Sequence, residues 1–73
     1  MRPSMEEQLD NWFTYHPPGE GDGEKYEALR AAGKAFAEAI VALTPPGADQ
    51  SAAIRKVREA VFTANAAIAC KGW

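Results

Sequence analysis

The segment Thr44–Gly47, with the sequence TPPG, decides the fold because it separates two long stretches that are both patterned as helices. Proline lacks a backbone N–H and has a fixed φ angle, so two consecutive prolines end a helix. On either side of this segment, apolar or small residues recur at alternating intervals of three and four, the spacing of one helix face. Two such helices joined by a short linker are expected to fold back as an antiparallel hairpin.

The two stretches carry heptad-like seams of similar length. The first, expected to be a helix over about residues 23–43, has its seam at Tyr26, Leu29, Gly33, Phe36, Ile40 and Leu43. The second, expected over about residues 49–70, has its seam at Ile54, Val57, Val61, Ala64 and Ile68. Asp49 has the residue type and the position of an N-cap for the second helix.

Alanine residues lie beside both seams, at Ala28, Ala32, Ala35, Ala39, Ala53, Ala60 and Ala67. Their small side chains allow helices to approach closely, but a face made of them buries little area in a lone hairpin. A second copy of the hairpin would bury more, as in a four-helix core. We therefore expect a homo-oligomer.

A shorter helix is expected over about residues 4–12. Ser4 and Glu7 have the spacing of a capping box, and the apolar residues that follow are amphipathic. Trp12 and Phe13 are expected to pack this helix on the hairpin. The helix breaks over residues 13–22, which contain prolines and glycines. The sequence thus predicts a single all-α domain over residues 1–73, a short N-terminal helix followed by a long antiparallel helical hairpin.

Composition argues against several classes of protein. Cys70 is the single cysteine, so no intramolecular disulfide is expected. Cys70 and His16 are the only soft metal ligands in the sequence. No metal and no cofactor are predicted. The net charge of -2, with both signs interspersed, argues against binding to DNA or RNA duplexes. Because no apolar run approaches the roughly 20 residues of a membrane span, we expect a cytoplasmic protein without membrane association.

Catalytic chemistry is not expected either. His16 is a lone imidazole in a loop, and Cys70 is predicted at a helix C-terminus, whose dipole does not favour a thiolate. The carboxylates have the spacing of solvated helix faces. No nucleophile with a partner base, acid/base pair or metal set is indicated, so we predict that the protein is not an enzyme.

The segment GEGDGEK over residues 19–25 opens the second helix. Backbone N–H groups at a helix start can hold a phosphate, but the segment matches neither the P-loop nor the dinucleotide-binding pattern. Its carboxylates, at Glu20, Asp22 and Glu24, would also repel an anion. We interpret it as a flexible link in which Asp22 caps the helix.

The segment TYHPP over residues 14–18 is the most informative for function. Pro17 and Pro18 hold Tyr15 and His16 in an extended conformation, outside any helix. An aromatic ring held in this way can stack on a planar base, which contributes about 1–3 kcal/mol. Cations of the next helix could neutralise the phosphates of such a ligand, namely Lys25, Arg30 and Lys34. Physical reasoning leaves open the alternative that Tyr15 only locks the loop.

Three blocks together resemble one family: FTYHPP at residues 13–18, KYEALRAAGKAFAEAI at 25–40 and REAVFTANAAIA at 58–69. They are similar in order and spacing to the small phage-encoded helical-hairpin sponges of cyclic oligonucleotides that oppose CBASS immunity, whose relatives include antagonists of Thoeris signalling. The resemblance implies a protein that sequesters cyclic di- or trinucleotides, such as cyclic GMP-AMP or cyclic tri-AMP, in the cytoplasm of the infected bacterium. It also implies a hexamer, a trimer of dimers, with nucleotide pockets shared between protomers.

The resemblance further implies roles for single residues. Tyr15 would stack on a base, and Arg30, with Lys25 as the next choice, would be the cation that meets the ligand. The full set expected at the nucleotide site is Tyr15, His16, Pro17, Lys25, Arg30 and Lys34. A second site for cyclic trinucleotides would involve Thr14 and either Cys70 or Lys71. Thr63 and Cys70 stand where the family pattern has tryptophan and arginine, so Lys71 would have to supply the cation there.

A different class of function also fits the pattern. The chain could be a structural or regulatory helical oligomer that binds a protein partner, with Tyr15 and Pro17 locking the loop. The two readings differ in what removal of the Tyr15 ring does, because only the first predicts that ligand binding is lost while the oligomer stays intact.

Overall fold

The computed structural model describes residues 3–72 and contains, within this range, three helices and no strand. Helix α1 is Met5–Trp12, α2 is Asp22–Leu43 and α3 is Ala48–Ala69. Helices α2 and α3 pack against each other as a hairpin, and α1 lies at its open end beside the C-terminus of α3. The all-α prediction and the helical hairpin are confirmed. No helix within residues 3–72 has both the length and the apolar character needed to cross a membrane.

Helix α1 begins with the predicted capping box. The Glu7 backbone N–H donates to Ser4 Oγ at 3.2 Å, and the Ser4 backbone N–H donates to Glu7 Oε1 at 3.1 Å. The backbone bond from Ser4, followed by the side-chain contact with Ser4, holds the pKa of Glu7 below its usual value. Because the folded helix favours the carboxylate, this contribution to stability is present above about pH 4.3 and is lost as the pH falls through the lowered pKa.

The caps of the two long helices differ from prediction. Glycines, not aspartates, are the N-caps: Gly21 for α2 and Gly47 for α3, neither with a side-chain cap. Gly21 has φ 80, a left-handed conformation that glycine adopts without strain, and α2 begins at the next residue, Asp22. The predictions that Asp22 and Asp49 are N-caps are therefore wrong. Asp49 lies in the first turn of α3, where its charge is favourable to the helix dipole.

Side chains satisfy the backbone of the turn between α2 and α3. The Thr44 hydroxyl donates to the Ile40 carbonyl at 2.6 Å. The Gln50 side-chain amide, from the first turn of α3, donates to the Thr44 carbonyl at 3.1 Å. The proline pair ends α2 as predicted, and Gln50 links the turn to the start of α3.

Helices α2 and α3 come closest at Gly33. A Cβ atom at this position would lie 2.6 Å from Val61 Cγ2, so only glycine fits without displacement of the valine side chain. The seam of α3 is half-buried throughout, as predicted. In α2, Phe36 is 61% exposed and Leu43 is 83% exposed, so they lie outside the contact. Ala37, next to Phe36 in the sequence, is half-buried instead and lines a groove between the two helices.

The chain alone has almost no closed core. Within the described residues, Ile40 and Cys70 are the only buried apolar residues. The accessible surface is 5975 Å², whereas a folded monomeric protein of this mass exposes about 4,400 Å². The radius of gyration is 15.4 Å, against about 11 Å for a compact chain of this length. The hairpin thus exposes about 1,500 Å² more than a self-sufficient domain does.

Helix α1 is held to the hairpin at its C-terminal end. The Asn11 side-chain amide donates to the Cys70 carbonyl at 3.1 Å. Trp12 lines a small cleft of about 250 Å³ beside Thr63 and Cys70 of the α3 end. Phe13 is 84% exposed, so the expectation that it packs α1 on the hairpin is wrong. It is the C-cap of α1, and its backbone N–H donates to the Leu9 carbonyl.

Replacement of Gly33 tests the close approach. Gly33→Ala should lower the free energy of unfolding by about 1–3 kcal/mol, because overpacking against Val61 outweighs the higher helix propensity of alanine. Urea unfolding followed by circular dichroism at several protein concentrations would measure this change in the free energy of unfolding. Gly23→Ala is the matched control, since a Cβ there meets nothing within 4 Å and alanine should be neutral or stabilising. Equal effects of the two substitutions would contradict the close contact.

Removal of the Asn11 side chain tests the attachment of α1. Asn11→Ala should cost about 0.5–1.5 kcal/mol and increase hydrogen exchange of the α1 amides, while α2 and α3 keep their protection. Native-state hydrogen exchange would measure this. Asp10→Asn, at an exposed neighbouring position, is the control. Unchanged protection of α1 in Asn11→Ala would show that the Asn11 bond does not hold the helix.

Candidate functional site

The TYHPP segment, residues 14–18, is hydrogen-bonded to α1 by the residues on both sides of Tyr15 and is here called the anchored segment. The Thr14 hydroxyl donates to the Asp10 carbonyl at 2.5 Å. His16 Nε2 lies 2.6 Å from the Asn11 carbonyl oxygen. Because a carbonyl only accepts, Nε2 carries the proton of this bond. These two bonds fix the backbone of the segment relative to the C-terminal end of α1.

Tyr15 itself is presented to solvent. Its side chain is 81% exposed, although its neighbours Thr14 and His16 are both hydrogen-bonded. Pro17 follows as an exposed residue and restricts the backbone further. The arrangement places a free aromatic ring on an anchored segment.

Asn11 connects this segment to the hairpin. Its carbonyl accepts from His16, and its side-chain amide donates to the Cys70 carbonyl at the end of α3. The sequence pattern did not indicate this role. The one local hint is that asparagine has a low helix propensity, so its presence in the last turn of α1 invites another explanation.

The predicted cations divide into two groups. Lys25 Nζ lies 3.9 Å from Asp22 Oδ1, in the first turn of α2. The same aspartate accepts from the Gly19 N–H at 2.8 Å and so ties the glycine-rich link to the helix start. Arg30 and Lys34 lie further along α2 and line an open groove of about 600 Å³ between α2 and α3. Within residues 3–72, neither of these two is paired with a carboxylate.

The groove that contains Arg30 and Lys34, here called the basic groove, has an apolar floor that includes Gly33, Val57 and Val61. Arg58 and Phe62 of α3 also line it. Tyr15 is not among its lining residues. Arg30 lies eight residues beyond Asp22, about 12 Å along the helix axis. In a single chain the expected nucleotide-binding residues therefore occupy two places, the anchored segment and the basic groove.

The opposite face of the hairpin carries a second groove, here called the apolar groove. It has a volume of about 570 Å³, and among the described residues Lys56 is the only charged one that lines it. Its other lining residues are apolar or small: Leu29, Ala32, Gly33, Phe36, Ile40, Ala53, Val57, Ala60, Val61 and Ala64. Several of the alanines singled out by the sequence pattern thus lie on one face.

The residues expected at a second site lie around the end of α3. Cys70 is 8% exposed, with Sγ 3.9 Å from the Asn11 carbonyl oxygen. Lys71 is exposed and has φ 55, a left-handed conformation. The helix ends with Gly72 N–H bonded to the Ala67 carbonyl at 2.8 Å. Thr14 does not line the small cleft beside Cys70.

Residues 3–72 contain no cluster of three or more His, Cys, Asp or Glu side chains that could hold a metal ion. The groups that the fold collects are instead an exposed aromatic ring, unpaired cations and apolar groove walls. These groups suit the binding of a planar, anionic molecule or of another protein surface.

One protein-family model matches the chain over all three helices. The model described as "Acb2/Tad1, hairpin domain" matches residues 5–69, from the start of α1 to the end of α3. Comparisons with curated proteins and with solved structures find no match. The matched range includes the anchored segment, the basic groove and the turn between the long helices. The chain therefore belongs to the Acb2/Tad1 hairpin family of sponges that antagonise anti-phage CBASS and Thoeris signalling.

Proposed function

We propose that the protein binds and sequesters cyclic di- or trinucleotide second messengers without cleaving them, and so blocks CBASS signalling in the cytoplasm of an infected bacterium. Cyclic GMP-AMP and cyclic tri-AMP are representative ligands. The observation that carries the proposal is the 81% exposed ring of Tyr15 on a segment bonded to α1 at both neighbouring residues. Membership of a sponge family supports the proposal.

An anchored ring is effective for binding because little conformational freedom is lost when the ligand arrives. Each base stacked on an aromatic ring contributes about 1–3 kcal/mol. Two such stacks and two charge-assisted phosphate contacts give near 8 kcal/mol before association costs. Nanomolar binding requires about 12 kcal/mol, so apolar burial and a preorganised pocket must supply the rest.

The phosphates are assigned to the basic groove. Arg30 is the first choice, since a guanidinium donates two parallel hydrogen bonds to a phosphate, and Lys34 adds a second charge one turn later. Lys25 is expected to contribute less to phosphate binding, because its charge is partly neutralised by the nearby Asp22 carboxylate. His16 is assigned mainly to holding Tyr15, because its Nε2 already donates to Asn11.

We propose that the working form is a homo-oligomer, a hexamer by analogy with the family. The excess surface of about 1,500 Å² per chain corresponds to nearly two interfaces of standard size, at about 800 Å² per partner. The apolar groove is the face assigned to this packing, since its small side chains allow close approach. In such an assembly, Tyr15 of one copy would complete the basic groove of another, which is consistent with their separation within one chain.

A second site for cyclic trinucleotides is assigned to the end of α3. Lys71 is the exposed cation at this position, whereas Cys70 is buried and its carbonyl is occupied by Asn11. The Thr14 hydroxyl is engaged by Asp10 and would have to change partner to meet a ligand.

The alternative function is a helical oligomer that binds a protein partner. It is favoured by Val41 and Leu43, which are 57% and 83% exposed beside the turn of the hairpin, away from the nucleotide-binding residues. It predicts no affinity for any cyclic nucleotide.

The first test is depletion of free ligand. Purified protein mixed with cyclic GMP-AMP, cyclic di-AMP and cyclic tri-AMP should remove at least one of them from solution, and proteolysis of the protein should release it intact. Chromatography with mass spectrometry would identify the released species. Recovery of only linear products would indicate an enzyme, and failure to deplete any of the three would contradict the proposal.

The second test addresses Tyr15. Tyr15→Ala should weaken binding of the depleted nucleotide by about 10- to 100-fold, because one or more base stacks are lost. Tyr15→Phe keeps the ring and should bind nearly as well as the unchanged protein. Calorimetry would give the affinities, and light scattering should show the same mass for all three proteins. A change of mass in Tyr15→Ala with unchanged affinity would favour the structural role of Tyr15.

A further inference from the structure

The basic groove contains more positive charge than the sequence pattern indicated. Arg30 and Lys34 come from α2, and Arg58 comes from α3, so the two helices face the same groove with three cations. Among residues 3–72, Glu27 is the one carboxylate that lines it. The chain as a whole has a net charge of -2, so this concentration of cations is not a reflection of composition. Like charges gathered on one face repel each other unless an anion lies between them.

Arg58 is held over an aromatic ring. Its Cζ atom lies 5.4 Å from the centroid of the Phe62 ring, one turn later on α3, which is the geometry of a cation–π contact. Phe62 is 57% exposed, so the ring does not serve to fill a core. A guanidinium stacked on a ring keeps its N–H edges free for an anion while its orientation is restricted.

Within the described part of the chain, no carboxylate forms an ion pair with these cations, although Glu27 lines the same groove. The ion pair found there joins Lys25 and Asp22, outside the basic groove, and none involves Arg30, Lys34 or Arg58. The apolar groove on the opposite face has Lys56 as its only charged lining residue among those that the structure describes. The charge difference between the two faces assigns the apolar groove to another copy and the basic groove to an anion.

We infer that Arg58 is a further phosphate-contacting residue of the nucleotide site, and that Phe62 is the positioning residue that orients it. The phosphates of a cyclic nucleotide would then lie between the cations of α2 and Arg58 of α3, above the apolar floor of the basic groove. This inference rests on the proposed function, since it names residues of the same site.

Affinity measurements on Arg58→Gln test the inference. Cyclic GMP-AMP, cyclic di-AMP and cyclic tri-AMP are each titrated into the unchanged protein and the variant by calorimetry. For every one of the three that binds, Arg58→Gln should raise Kd by about tenfold or more, through loss of a charge-assisted hydrogen bond. Arg55→Gln removes the same charge from an exposed position on α3 outside both grooves, and its Kd should change less than about twofold.

Substitutions at Phe62 separate orientation from packing. Phe62→Leu keeps an apolar side chain but removes the ring, and should raise Kd by several-fold with unchanged thermal stability. Phe62→Tyr keeps the aromatic ring and should bind with the same affinity as the unchanged protein. Loss of affinity in both variants, or in neither, would contradict a positioning role through the cation–π contact.

The outcomes separate the inference from the proposed function. If none of the three nucleotides binds the unchanged protein, the proposed function is wrong and the inference is wrong with it. If one binds and Tyr15→Ala weakens it while Arg58→Gln does not, the function stands and the inference is overturned. If Arg58→Gln changes the oligomer mass in light scattering but not Kd, the basic groove is a contact between copies instead.

Discussion

The close approach of α2 and α3 at Gly33 is the constraint on which the rest of the structure depends. A methyl group at this position would lie 2.6 Å from Val61, so the distance between the helices is set by the absence of a side chain. One turn later Ala37 is half-buried and Phe36 is exposed. The two helices are thus a shallow pair with an open groove on each side. Because few large side chains lie between the helices, much apolar surface stays exposed and is available to other molecules. Larger side chains at the contact would have formed a closed core.

The two grooves differ in chemistry, and in the proposed function one serves assembly and the other serves ligand binding. One is apolar and rich in alanine, which suits close packing with another copy. The other collects Arg30, Lys34 and Arg58 in a chain of net negative charge, which suits a phosphate-bearing ligand. In the proposed homo-oligomer, a small chain that is poorly buried on its own would gain both stability and a binding surface on assembly.

In the proposed function, Tyr15 of the anchored segment supplies the aromatic contact with the ligand. The proline pair keeps Tyr15 and His16 out of a helix, but rigidity also requires the bonds from Thr14 and His16 to the end of α1. Asn11 then connects α1 to the end of α3. The position of the Tyr15 backbone relative to the hairpin therefore depends on Asn11, which is not itself among the expected ligand-binding residues. A substitution at Asn11 would affect both the attachment of α1 and the proposed binding.

The sequence by itself determined the three helices, because the spacing of three and four, the capping box at Ser4 and the proline breaks all act within a few residues. Its three motif blocks also pointed to the family that the match over residues 5–69 shows. Tertiary structure decided which side of each helix faces its neighbour. The exposure of Phe36, the grouping of Arg58 with Arg30, and the bond between Asn11 and Cys70 across 59 residues depend on helix rotation and separation. Local pattern could not predict these, because a periodic face spans several side chains and only the contact at Gly33 selects which of them meet.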